Sequence, residues 1–207
     1  FALHTGMKTQ PIETPSTQRY FSAEQIGDTL LLAFKGVMTA PNTYFAAMPV
    51  ASDYRDSLML LCIYLAIPAL LLGILSGIVG TIIILPFSLL FGFIGTWLWA
   101  AYLSWAARRF CAADLSTVAA FQICAYSSAP LIFSWIPIIG ILAWMSNLYL
   151  NWQGLVSHAR ISAGAALLII LGAFFVMAIS LAILVALLIY ATTRFGVHLP
   201  SAPAIWF

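Results

Sequence analysis

Charge is what this sequence has least of. Asp, Glu, Lys and Arg make up 7% of its 207 residues, against 63% hydrophobic residues and a mean hydropathy of +1.04. A water-soluble domain carries roughly a quarter of its residues charged, so that class is excluded. The net charge of +2 is small and the bases are not clustered, which argues against a nucleic-acid partner. Cys62, Cys111 and Cys124 stand apart, with no CxxC pair and an odd count, so no disulfide framework is expected. They read as small packing hydrophobes. Catalytic motifs are missing too: the sequence has no HExxH, GxSxG, GxGxxG or phosphate-loop pattern. Asp114 is the only acid after Asp56 and reads as a helix N-cap. His4, His158 and His198 are too scattered to propose a metal site. The expectation is a non-enzyme with no cofactor.

What fills the sequence is apolar. No charged residue occurs between Ser57 and Ala107, between Leu115 and Ala159, or between Ile161 and Thr193. Crossing a ~30 Å hydrocarbon core takes ~20 helical residues. The first two runs are each long enough for two crossings, and the third suits one overlong helix. We therefore expect an all-α fold, a polytopic membrane bundle of five transmembrane helices at about 57–77, 81–107, 116–136, 139–158 and 161–192. Short turns at Gly77–Gly80 and Pro137–Gly140 make hairpins of the first and second pairs.

The basic residues test this division independently. With five crossings, Lys8, Arg19, Lys35, Arg55, Arg108, Arg109 and Arg160 share one side, and only Arg194 lies on the other. Excess Lys and Arg mark the cytoplasmic side. The N-terminus is then cytoplasmic and the C-terminus external. Residues 1–20 are polar, show no apolar signal-peptide core, and read as a flexible tail. Residues 21–56 read as an amphipathic interfacial segment. Within it, Ser22 and Gln25 suggest a capping box, and Ile26, Leu30, Phe34 and Val37 recur at helical spacing. A helix over 23–39, ended by Pro41, is expected to lie at the membrane surface. Residues 57–192 form the transmembrane domain and 193–207 a short external tail.

Polar residues inside the apolar runs are the candidate functional residues. Gln122 and Tyr126 lie four apart on the third expected helix. Asn147 and Asn151 do so on the fourth. Amides facing lipid are costly, so both pairs should face the bundle as interhelical contacts or as the lining of a polar path. The hairpin at Pro137–Gly140 puts Tyr126 level with Asn147 and Asn151, within reach of a hydrogen bond. Trp97, Trp99, Tyr102 and Trp105 form an aromatic belt before Arg108 and Arg109, which are placed to meet anionic lipid headgroups.

Several segments together resemble the Yip-one family of Ypt/Rab-interacting membrane proteins. Ala40–Met48 resembles its P-x-x-[FY]-F segment. Phe121–Pro130 resembles its Tyr-Ser…Pro helix. Ile136–Gly140 and Trp152–Leu155 resemble its Ile-Pro turn and Trp-containing helix, with His158 and Ser162 continuing the pattern over about residues 30–190. The resemblance implies five helices, a cytoplasmic N-terminus and a scaffold or adaptor role without catalytic residues. It points to a bacterial-type member in a prokaryotic plasma (inner) membrane. The partners expected are the lipid bilayer and either another membrane protein or further copies of this chain. The short tail matches no Rab-binding segment, so a Rab-type GTPase is not expected. A transporter or channel component using the polar surface of the third and fourth helices is the alternative.

Overall fold

The computed structural model describes residues 20–22 and 25–195, and its regular structure is entirely helical. The expected tail at 1–20 lies almost wholly outside the described residues, as does everything after Phe195.

Two short helices come first, α1 (Ile26–Thr39) and α2 (Pro41–Ala47). Pro41 ends the first and also opens the second, where its fixed φ and missing N–H suit the first helical position. The capping-box expectation is corrected. Because the helix starts at Ile26, Gln25 is the N-cap and makes no side-chain cap bond. Thr29 ties the segment before the helix to its first turn. Its hydroxyl donates to the Gln25 carbonyl at 2.6 Å and accepts from the Ser22 N–H at 3.1 Å.

A long hairpin follows, α3 (Arg55–Leu75) and α4 (Gly77–Cys111), with only Ser76 between them. Gly77 has φ +82°, a conformation that side chains strain. A Cβ on Gly73 would meet Thr81 Cα at 2.8 Å, so the arms close only because that position is glycine. α4 has 35 residues and α7 (Ala163–Phe195) has 33, about 50 Å each at ~1.5 Å per residue. Among the described residues, α3, α4 and α7 are the three helices long and apolar enough to cross a membrane.

The third expected helix, 116–136, is corrected most. α5 (Thr117–Ser127) stops after 11 residues and gives way to a 3-10 turn at Ala129–Phe133. Pro130 cannot donate the next helical hydrogen bond, and its ring crowds the preceding turn, so the α-helix cannot run on through it. The Ser128 hydroxyl bonds back to the Cys124 carbonyl at 2.9 Å and closes the last turn. Ser116 caps the start, its Oγ accepting from the Ala119 N–H at 3.1 Å, so Asp114 is not the cap. α6 (Pro137–Ser157) follows with 21 residues.

α5 is the centre of the molecule. Every residue from Ala119 to Ser127 is buried. α3, α4, α6, α1 and the 3-10 turn pack around it. The arrangement is inverted relative to a soluble protein. Asn147, Asn151 and Gln153 of α6 are buried, while Ile138, Ile141, Leu142 and Met145 on the same helix are exposed. An exposed apolar surface of this extent continues over α3, α4 and α7 and suits lipid.

Candidate functional site

The amides of α6 form a short chain of hydrogen bonds. Asn147 Nδ2 donates to the Ser127 carbonyl of α5 at 3.0 Å. Asn151 Nδ2 donates to the Asn147 carbonyl at 2.9 Å and to Asn147 Oδ1 at 3.2 Å. Trp99 Nε1 of α4 donates to Asn151 Oδ1 at 3.3 Å. Three helices are thus joined through two side chains. Ser127 supplies a spare carbonyl because the α-helix ends there.

Tyr126 and Gln122 do not join this chain. The expected pairing of Tyr126 with Asn147 or Asn151 is corrected: Tyr126 Oη accepts from the Phe21 N–H at 3.0 Å, and Gln122 Oε1 accepts from the Ala51 N–H at 3.1 Å. The reason is rotation of α5. Residues 122 and 126 share one face, and 123 and 127 share the next, ~100° away. That second face meets α6, where Ile123 lies so close to Gly154 that no Cβ fits. The first face holds the N-terminal segment.

The stripe of α1 is divided. Ala33 and Val37 are fully buried, Leu30 and Phe34 are half-buried, and Ile26 is exposed. Phe34 meets Phe133 of the 3-10 turn edge-on, with centroids 6.5 Å apart. α2 buries Tyr44 and Phe45 and packs on α6. At the end of α6, burial pushes the His158 imidazole below its usual range, and a hydrogen bond to the Phe45 backbone pulls the other way. α2 and this docking were not foreseen. The signal available was Tyr44-Phe45 one helical turn after Pro41.

A cavity of about 750 Å³ opens between the α3–α4 hairpin and α5, α6 and the 3-10 turn. Pro68, Phe91, Trp99 and Trp144 are among its walls, and Asn147, Asn151 and Ser128 border it. Trp99, Ser128, Asn147 and Asn151 are engaged in the hydrogen bonds above, and most of the remaining lining is apolar. A second groove, about 480 Å³, lies between α4 and α7. Arg108 and Arg109 sit in the last turn of α4 and are exposed. Among the described residues, no three of His, Cys, Asp or Glu are placed to hold a metal ion.

The family model described as the Yip1 domain matches residues 35–192, most of the chain and all of the helices from α2 to α6. No curated protein and no solved structure matches.

Proposed function

This chain belongs to the Yip1 domain family, and we propose that it serves as a non-catalytic integral membrane scaffold or accessory protein that organises the bilayer or a partner membrane complex. The observation that carries this reading is the closed hydrogen-bond chain Trp99–Asn151–Asn147–Ser127. Amides that line a conduit keep donors and acceptors for the solute. These are bonded to their own bundle, as amides that lock helices together are. In the same reading α5 and its 3-10 turn form one crossing and α6 another, which brings the total to five. The N-terminus faces the cytoplasm of a prokaryotic plasma membrane, and the partner is another membrane protein or a second copy.

A transporter or channel component is the second reading, favoured by the 750 Å³ cavity that the same asparagines border. Asn151→Leu separates the two. A locking role predicts a loss of about 0.6–2 kcal/mol in bundle stability, read from unfolding in detergent. A conduit role predicts near-normal stability and loss of solute flux in proteoliposomes. The scaffold reading also requires that cross-linking in native membranes capture one chain in fixed stoichiometry. Capture of many chains at trace levels would sink it.

A further inference from the structure

The groove between α4 and α7 has features of a lipid site that the larger cavity lacks. Its α4 wall is aromatic: Tyr102, Trp105 and Phe110 succeed one another, with centroids 6.1 Å apart for the first pair. Trp105 and Phe110 meet edge-on at 5.7 Å. Its α7 wall is Leu168, Gly172 and Phe175. Gly172 makes the floor, where Tyr102 Oη would stand 3.1 Å from any Cβ, and Tyr102 closes the seam by donating to the Ile169 carbonyl at 2.9 Å. Trp105, Phe110, Leu168 and Phe175 are all more than half exposed, so the groove is open sideways along the apolar surface.

Length and charge select the occupant. On α7 the groove runs from Ala165 to Val176, about 16 Å of helix. That is half of a ~30 Å hydrocarbon core, the depth of one leaflet. Its volume of about 480 Å³ suits a single chain rather than a whole lipid. One end is basic. Residues 102, 105 and 109 share a helical face at offsets of 3 and 4, so Arg109 stands one turn beyond Trp105, where the groove meets the loop. Arg108 Nε is turned back to the Ser104 carbonyl at 3.3 Å. Arg160, exposed in the loop before α7, lies at the same end, and Asp114 is the only acid in either loop. Basic pockets between membrane helices on the cytoplasmic side recognise anionic headgroups.

We propose that this groove holds one anionic phospholipid, with an acyl chain laid between α4 and α7 and its phosphate on Arg109 at the headgroup level. The site stands whether or not the chain scaffolds a partner, because it needs only that the Arg109 end of α4 reach a membrane surface.

The test uses the full chain in nanodiscs of phosphatidylglycerol and phosphatidylcholine, released into mild detergent and weighed by native mass spectrometry. The wild type should retain one phosphatidylglycerol in preference to phosphatidylcholine. Arg109→Gln, an exposed change that leaves packing alone, should lower that preference about fivefold, the factor equivalent to ~1 kcal/mol for one base near a lipid surface. Leu168→Trp fills the groove and should reduce retention of both lipids. Equal retention of the two lipids by the wild type would overturn the proposal. So would an Arg109→Gln variant that keeps the full preference, or a Leu168→Trp variant that keeps its lipid.

Discussion

At the scale of single residues, what matters in this chain is whether a polar atom has found a partner. Tyr64 on α3 is fully buried, and its hydroxyl has no hydrogen-bond partner among the described residues. Tyr102 on α4 spends its hydroxyl on the Ile169 carbonyl. The same substitution should therefore act in opposite directions. Tyr64→Phe removes an unsatisfied group and should raise stability by roughly 1 kcal/mol, whereas Tyr102→Phe deletes a bond and should cost about that much. Thermal unfolding of the two variants side by side in one detergent checks the pair. A clear loss on Tyr64→Phe would mean that the hydroxyl binds a buried water. Such distinctions are not legible in the sequence. Both tyrosines sit in apolar helices of similar composition, and only packing decides which one faces a carbonyl. The asparagines were more legible, because an amide at mid-run has to turn inward.

At the scale of elements, legibility followed charge and failed with rotation. The charge-free runs marked out α3, α4 and α7, but the turns expected at Gly77–Gly80 and Pro137–Gly140 are corrected: those residues are the first turns of α4 and α6. The early end of α5 was missed, although Ser127, Ser128 and Pro130 together are the reason for it. The facing of Gln122 and Tyr126 was missed on different grounds. Every face of α5 is buried and apolar residues occur all round it, so no amphipathic stripe fixes its rotation. The outcome is that α1 and α2 are held to α5 through two backbone N–H groups, of Phe21 and Ala51. This gives an element-level prediction. Tyr126→Phe with Gln122→Leu orphans both donors, each costing about 1–3 kcal/mol where buried. Amide exchange should then speed up across residues 26–47 while α3 stays protected. Unchanged exchange there would mean that Ala33, Val37 and Phe45 hold the segment by packing alone.

At the scale of the whole molecule, topology turns on how the α5–α6 pair meets the bilayer, since among the described residues only α3, α4 and α7 are plainly long and apolar enough to cross. Two arrangements share the same termini. In one, the pair crosses fully and returns, giving five crossings. In the other it enters and leaves from one side, giving three crossings and a re-entrant hairpin. Lys and Arg counts cannot separate them, because both leave Arg108, Arg109 and Arg160 together. Length favours the first. α6 at 21 residues spans about 31 Å, and α5 with its five-residue 3-10 turn adds up to about 26 Å, close to a ~30 Å core. The exposed apolar face of α6, from Ile138 to Met145, would also lie against lipid through that depth. Single cysteines in an otherwise cysteine-free chain decide the matter. Ser76→Cys at the tip of the α3–α4 hairpin and Arg109→Cys at the far end of α4 should label from opposite sides with an impermeant reagent. Ile138→Cys, at the α5–α6 turn, should label together with Ser76→Cys. If Ile138→Cys stays unreactive while the other two label as expected, the pair is re-entrant. Labelling of Ser76→Cys and Arg109→Cys from one side would instead remove α4 as a crossing and with it the whole topology.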